Sequence, residues 1–211
     1  MVQRALKYVG MVVVCDDGST DATYEEAKRA GALVVRHEKN RGYGAALRTL
    51  FAVAKKIDPD AMVVLDADGQ HDPSYIPMLV EPVLAGEADI VVGSRFLGDA
   101  DVPAYRELGI KVITWPIRFV AYPGLKDAQS GFRAYSRRAV RLIDVVERGM
   151  GASTEILLKG AIYGLKLREV PVKVSYRGVV PRISPWRHGL LVLLVTVKYM
   201  LIHLVRKLVK W

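Results

Sequence analysis

The sequence predicts an α/β fold in which helices cover both faces of a mostly parallel sheet, giving three layers. Short apolar runs typical of buried strands lie at residues 11–15, 32–36, 61–65 and 89–92. Segments with the apolar spacing of helices separate these runs, and such alternation favours a parallel sheet. Ligands of open α/β sheets bind beyond the carboxyl ends of the strands. We therefore expect the functional site at that edge, where polar and acidic residues follow the runs.

The first predicted element is a helix rather than a strand. Residues 1–9 have the spacing of an amphipathic helix, and the first strand follows at residues 11–15. An alternating pattern that begins on a helix predicts a further strand before residue 1. We expect that strand to lie inside the sheet, so its absence would leave the neighbouring strands unpaired. Further helices are predicted at residues 22–30, 45–56 and 73–85, the last with Pro73 in its first turn.

The alternation becomes less regular beyond Gly98. Residues 105–121 are predicted to form a helix that Pro116 interrupts, because proline lacks the N–H group that a helix interior needs. The remaining elements are a polar patch at residues 126–135, helices at 137–146 and 153–163, a strand at 167–175, a basic loop at 176–188 and an apolar segment at 189–211.

Composition sets broad limits. The 211 residues suffice for one domain, or for one domain and an appendage. The single cysteine, Cys15, excludes an intrachain disulfide and a cysteine-based zinc site. The formal charge of +9 favours an anionic partner, which can be nucleic acid, anionic lipid or a phosphorylated ligand.

The segment Asp66-Ala67-Asp68-Gly69-Gln70-His71 follows an apolar run and is the strongest local candidate for a site. Two carboxylates one residue apart at a strand end can reach one cation. Mg²⁺ and Mn²⁺ are commonly held by one or two carboxylates together with substrate phosphates. The alternative is an Asx-type turn with a solvated acidic tip, which Asp-Gly alone would explain.

Five motifs occur in a fixed order along the chain: Asp16-Asp17-Gly18-Ser19, Asn40-x-Gly42-x-Gly44, the acidic segment from Asp66, Gly93-Ser94-Arg95, and Ser130-Gly131-Phe132-Arg133. Together they resemble the inverting GT-A glycosyltransferases of family 2, in the branch of the dolichyl-phosphate mannose and glucose synthases. The resemblance covers nearly the whole chain. It implies a three-layer, Rossmann-like GT-A fold over residues 1–188, which binds a nucleotide-sugar, and an amphipathic C-terminal helix over residues 189–211.

The resemblance also implies roles for individual residues. Asp68 is expected to be catalytic and to share the divalent metal, Mg²⁺ or Mn²⁺, with Asp66 and Gln70. The substrate-binding positions implied are Asp16 and Asp17 at the nucleotide, Gly42, Arg95, Ser130, and Arg106 at the acceptor phosphate. Arg133 is expected near the sugar and the acceptor phosphate, and Arg177 in the loop that closes over the diphosphate.

Each of these positions has a structural alternative. Asp16 and Asp17 can form a strand-to-helix turn, and Gly42 can simply permit a tight turn. Arg95 can be a salt-bridged arginine, while Ser130 and Arg133 can pack the end of the sheet.

The implied reaction moves a hexose from a GDP- or UDP-linked sugar to a polyprenyl or dolichyl phosphate. The metal would stabilise the leaving diphosphate. A lipid phosphate is already anionic and needs cationic positioning rather than a base, for which Arg106, Arg133 and Arg177 are candidates. For a hydroxyl acceptor, Asp127 is the predicted base. No nucleic-acid partner is expected.

One departure from the family pattern supports an alternative. The family opens with a strand ending in a Pro-Ala/Thr-Tyr-Asn-Glu type of turn, which this sequence lacks, so we expect a longer gene product. The chain can therefore be a non-catalytic fragment or binding partner.

The acidic segment itself supports a second alternative. Asp66-Ala67-Asp68-Gly69 resembles the Asp-x-Asp-Gly-Thr loop of phosphohydrolases of the haloacid-dehalogenase type, which could use Asp66, although that class requires threonine at the position of Gln70.

The C-terminal segment, residues 189–211, combines an apolar half with a polar and cationic half. Lys198 lies near its middle, which disfavours a transmembrane helix. We expect the segment to lie in the interface of an anionic membrane, making the protein peripheral on the cytoplasmic face. A helix packed on the domain and a true span are the alternatives.

Overall fold

The computed structural model describes residues 1–98, 102, 104–175 and 185–209, without the side chains of 104–106, 120, 185–191 and 207–209. The helices are Val2–Ala5 (α1), Thr23–Arg29 (α2), Tyr43–Ile57 (α3), Ile76–Leu84 (α4), Ala104–Val120 (α5), Arg137–Leu142 (α6), Ala152–Ile162 (α7) and Pro185–Val209 (α8). The strands are Val13–Asp16 (β1), Leu33–Arg36 (β2), Ala61–Val64 (β3), Ile90–Ser94 (β4), Arg133–Ser136 (β5) and Leu167–Pro171 (β6). One 3₁₀ turn, Pro73–Tyr75, precedes α4.

The strands form two sheets. β1 and β2 pair in parallel, and the second sheet has the order β3-β5-β4-β6. In that sheet β3, β4 and β6 run in one direction and β5 opposes them. The α/β class with a mostly parallel sheet is thus confirmed. β5 was not predicted, because it has only four residues and its polar ends conceal the strand pattern.

An open cleft separates the two sheets. β1 pairs only with β2 and β3 pairs only with β5 among the described strands, so each has one edge without a partner strand. The cleft, of about 1030 Å³, is lined by residues 8–13 and 59–65 together with parts of α3 and α4. The strand expected before residue 1 stays a prediction.

Several predicted boundaries are wrong. Helix α1 ends at Ala5 rather than at residue 9. Helix α5 continues through Pro116 instead of breaking there. The carbonyl that loses its partner belongs to Val112, which is exposed, so water can reach it. Helix α6 ends at Leu142 rather than 146, and β6 ends at Pro171 rather than 175.

Helix α8 completes the core of the domain. It begins at Pro185, four residues before the predicted boundary, and packs against α5 and α7. Val192, Thr196 and Tyr199 are its buried residues. Among the described helices, none has the length and apolar character to cross a bilayer.

Glu155, in the first turn of α7, connects α8 to the rest of the core. It is fully buried, and it accepts hydrogen bonds from the amides of Val146 and Glu147 and from the hydroxyl of Tyr199 at 2.7 Å. Lys159 Nζ lies 2.7 Å from the same carboxylate. One carboxylate therefore holds the 143–148 loop, α7 and α8 together.

We expect Glu155→Ala to lower the free energy of unfolding by about 3–5 kcal/mol, because it leaves the Lys159 ammonium and two amides without their partner. Tyr199→Phe should cost about 1 kcal/mol, the loss of one hydrogen bond. Chemical denaturation would measure both. Glu25→Ala, at an exposed position in the first turn of α2, is the control and should change stability by less than about 0.5 kcal/mol. A Glu155→Ala protein as stable as this control would contradict the assignment.

Candidate active site

The acidic segment forms a tight turn directly after β3. Asp68 Oδ1 accepts a hydrogen bond from the amide of Gln70 at 2.9 Å, and Gly69 has a φ of 84° that favours glycine. Asp66 leans against the loop that leads into β5. A Cβ atom at Gly131 would lie only 2.3 Å from Asp66 Oδ2, so the glycine permits this approach.

The two carboxylates form an electrostatically unfavourable pair. The pKa of Asp66 is raised to about 6, mainly because burial removes water from its carboxylate and secondly because the negative charge of Asp68 lies nearby. Arg133 and Arg95 lower the same pKa by a smaller amount. A cation between Asp66 and Asp68 would remove that repulsion. Within the described residues no three His, Cys, Asp or Glu side chains converge on one point. A pair of carboxylates suits a hard cation that takes its remaining ligands from water and substrate phosphates.

Gln70 and His71 complete the acidic segment after β3. Gln70 accepts a backbone hydrogen bond from Ser175 at 3.0 Å, which places it beside the segment after β6. His71 is buried, its Nε2 lies 3.9 Å from Asp66 Oδ2, and its ring packs on Phe132. Burial lowers the pKa of His71 to about 4, so the ring is neutral near pH 7 and adds no positive charge to the site.

Arg95, which directly follows β4, forms a bidentate ion pair with Asp127, which lies in the loop before β5. Arg95 donates from Nε and from its terminal nitrogen to the two oxygens of Asp127, each at 2.6 Å. Asp127 also accepts from the amides of Arg95 and Gln129. Four hydrogen bonds occupy its carboxylate, which is fully buried.

Arg133 and Ser130 lie inside the protein rather than on the surface of the site. The Arg133 guanidinium donates to the carbonyl oxygens of Ala128, Ser130 and Ser153, each at 2.8 Å, and is only 2% exposed. Ser130 Oγ accepts from the amide of Phe132. The structure thus places these two residues beneath the loop that presents Asp127 and Gly131.

Asp16 and Asp17 end β1 and stabilise the neighbouring loops. Asp16 is buried, accepts from the amide of Ser19 and lies 3.1 Å from Arg36 Nε. Asp17 accepts from His37 Nδ1 at 2.6 Å and from the amides of Arg41 and Gly42.

Although burial opposes them, these hydrogen bonds hold the pKa of Asp17 below its ordinary value. Gly42 has a φ of 97°, and a Cβ atom there would meet the Arg148 carbonyl oxygen at 2.6 Å. Gly42 is therefore required by the fold, whatever else it does.

His37 is a partner of the candidate site that no sequence motif predicts. It is buried, and its Nε2 lies 2.8 Å from the Thr49 hydroxyl of α3. The only local signal is its position directly after the predicted second strand, at the edge where sites form.

The sequence analysis also missed a basic cleft beside Arg95. It measures about 590 Å³, and its lining includes Lys111 and Arg118 of α5 and Lys126 of the following loop. Lys111 and Arg118 are seven residues apart, hence on one face of a helix, which is a signal that the sequence contains.

Two predicted residues cannot be placed in this site. Arg177 lies outside the described residues. Arg106 falls within α5, but its side chain lies outside them.

Comparison with known proteins agrees with this geometry. Residues 7–143, more than half of the chain, match the family described as glycosyl transferase family 2. An uncharacterised protein of Methanocaldococcus jannaschii is 37% identical over 78% of this chain and 70% of its own length. A dolichyl-phosphate hexose transferase of Haloferax volcanii is 31% identical over 84% of this chain and 75% of its own.

The fold is also found among solved structures. Glucosyl-3-phosphoglycerate synthase of Mycobacterium tuberculosis, crystallised with Mn²⁺, UDP and glucosyl-3-phosphoglycerate, superposes with a TM-score of 0.72 at 23% identity. That match covers 91% of this chain and 69% of the other. The motif series, the arrangement of the strands and the match over residues 7–143 agree, and the chain belongs to glycosyltransferase family 2, a family of enzymes, with the GT-A fold.

Proposed function

We propose that this enzyme transfers a hexose from a nucleoside diphosphate-sugar to a polyprenyl phosphate, using Mg²⁺ or Mn²⁺ held by Asp66 and Asp68. The observation that carries the proposal is the repelling carboxylate pair at the end of β3, placed beside Arg95. The Haloferax relative is named for transfer to dolichyl phosphate, and the mycobacterial structure contains Mn²⁺ and UDP. Both names support the proposal.

The metal, when bound, would offset the charge that develops on the leaving diphosphate. Asp66 and Asp68 supply its protein ligands, and Gln70 lies on the same turn to extend the set. Arg177 is proposed to contact the diphosphate from the loop after β6. The order of the elements is the basis for that assignment.

The donor nucleotide is proposed to lie at the end of β1. An ionised carboxylate accepts about four hydrogen bonds, and Asp17 accepts three from the protein. One N–H or O–H group of a nucleotide can therefore still donate to Asp17. Uracil and guanine both carry such a donor, so this geometry suits a UDP-sugar and a GDP-sugar alike.

The state of Asp127 favours an anionic acceptor. To act as a base, Asp127 would have to take a proton and weaken its bidentate pair with Arg95. A phosphate acceptor needs no base. Asp127 is then a positioning residue that orients Arg95, and Arg133 positions the loop that carries Asp127. Arg106 is proposed as a phosphate ligand, again from its place in the sequence.

The enzyme is proposed to work at the cytoplasmic face of a membrane as a peripheral protein. In α8 the polar residues Thr196 and His203 lie on the side that packs on the domain. The opposite side exposes Leu193, Val197, Leu201 and Leu204, as an interfacial helix requires.

The two alternative functions are weaker. In a phosphohydrolase of the haloacid-dehalogenase type the acidic motif follows the first strand, whereas Asp66 follows β3. A non-catalytic role is disfavoured because the site carries its acidic pair and the Arg95–Asp127 pair.

We expect Asp68→Asn to weaken Mn²⁺-dependent nucleotide binding and to reduce hexose transfer by about 10²-fold or more, since half of the carboxylate pair is lost. Calorimetry with Mn²⁺ and UDP or GDP, and a transfer assay, would measure the effects. Asp60→Asn is the control, because that side chain is 82% exposed and lies on the opposite end of β3. Unchanged metal dependence in Asp68→Asn would refute the metal assignment.

Asp127→Asn separates a positioning role from a base. We expect turnover to fall by about 10–100-fold because Arg95 loses its bidentate partner, while the pH–rate profile keeps its shape. Loss of one limb of that profile would identify Asp127 as the base and point to a hydroxyl acceptor.

The acceptor class can be tested directly. With one nucleotide-sugar donor, transfer to polyprenyl phosphate in detergent should exceed transfer to free sugars or protein hydroxyls. The expected product is a lipid-linked hexose monophosphate, identified by mass spectrometry. Preference for a soluble hydroxyl acceptor would overturn the proposal.

A further inference from the structure

Helix α5 exposes an apolar stripe to solvent. Leu108, Val112, Trp115 and Phe119 are spaced by four, three and four residues, so they fall within an arc of about 60°. Their exposed fractions are 65%, 55%, 67% and 81%. Among the described side chains of the helix, the buried apolar residues Ile110, Ile113 and Ile117 lie on the opposite side. Both faces of α5 are therefore apolar, and only one of them is covered by the protein.

The stripe contains two large aromatic side chains held together. The rings of Trp115 and Phe119 stack with centroids 6.1 Å apart and an interplanar angle of 18°. Exposed apolar surface of this kind marks a binding surface. Tryptophan and phenylalanine beside cationic residues are typical of helices that lie in a membrane interface.

The basic cleft adjoins the stripe. On α5, Lys111 and Arg118 lie about 60–80° around the helix from the stripe, toward its buried face. Trp115 belongs to the stripe and also lines the cleft. Lys111 pairs with Glu107, the one carboxylate among the described residues that line the cleft, whereas Arg118 and Lys126 form no ion pair with any described residue. The described lining thus carries excess positive charge, and it includes Arg95.

We propose that α5 docks on the membrane and takes up the acceptor there, an inference that rests on the proposed function. The stripe enters the bilayer among the acyl chains. The anionic head of a polyprenyl phosphate binds Arg118 and Lys126 in the cleft, and its apolar chain leaves past Trp115 into the bilayer. The cationic cleft suits the anionic head of such a ligand, and the apolar stripe, which includes Trp115, suits its apolar tail. A protein partner would explain the stripe but not the cationic path to Arg95.

Helix α8 packs against α5 and also has an exposed apolar side, with Leu194, Val197 and Leu201. Two neighbouring helices therefore have apolar side chains exposed to solvent, and the cleft beside α5 is lined in part by Arg95.

The docking step is tested by sedimentation with phosphatidylcholine vesicles, with and without polyprenyl monophosphate. We expect wild-type protein to bind, more strongly when the polyprenyl phosphate is present. The double variant Leu108→Ser, Phe119→Ser should bind at least about tenfold more weakly. Leu84→Ser is the matched control, since Leu84 is also a helical leucine and is 62% exposed. Failure of wild type to bind, or equal binding by the double variant, would overturn the proposal.

The cleft is tested by Arg118→Gln with Lys126→Gln. With a short-chain, water-soluble polyprenyl phosphate, KM should rise about tenfold or more while kcat changes less, because these residues bind the ground-state phosphate. Arg29→Gln, exposed at the end of α2, is the control. An unchanged KM would overturn the cleft assignment.

The two proposals can fail separately. If wild type transfers hexose to the short-chain phosphate but neither vesicle binding nor KM responds to these variants, the docking inference is wrong and the proposed function stands. If wild type transfers to no phosphate acceptor, the proposed function is wrong, and the acceptor path through the cleft is wrong with it.

Discussion

The Arg133 guanidinium is buried at the start of β5, and burying a charged group is unfavourable unless it is hydrogen-bonded. Each of its three nitrogens donates to a backbone carbonyl, two of them in the loop before β5 and one in α7. The loop cannot rearrange without leaving the charge unpaired. Asp127 and Gly131 are carried by that loop, so Arg95, which binds Asp127, and Asp66, which packs on Gly131, both depend on it.

Some charged side chains of the candidate site are paired with an opposite charge of the protein, and others are not. Arg95 and Asp127 neutralise each other with ideal bidentate geometry, and His71 is neutral. Asp66 and Asp68 repel each other, and neither forms an ion pair with an arginine or lysine among the described residues. Elsewhere in the core, Glu155 is satisfied locally by Lys159 and Tyr199. The acidic pair is the part of the site at which we propose that a cation binds.

Two helices of the domain are apolar on both sides. One side of α5 and of α8 supplies the core, and the other meets solvent at Phe119, Trp115 and Leu201. Such an arrangement costs solubility and is retained where a surface has a partner. It agrees with an enzyme whose acceptor resides in a membrane and whose nucleotide-sugar donor does not.

The sequence alone determined the α/β class, strands β1 to β4, the acidic turn and the family, because these depend on local periodicity, glycine conformation and the order of motifs. β5, the Arg95–Asp127 pair and the Asp17–His37 pair depend on contacts between residues distant in the chain, so only the tertiary structure decided them. Arg133 shows the difference most clearly. The sequence identified the residue, but whether its charge faces a substrate or three backbone carbonyls depends on which chain segments surround it, and periodicity contains no information about that.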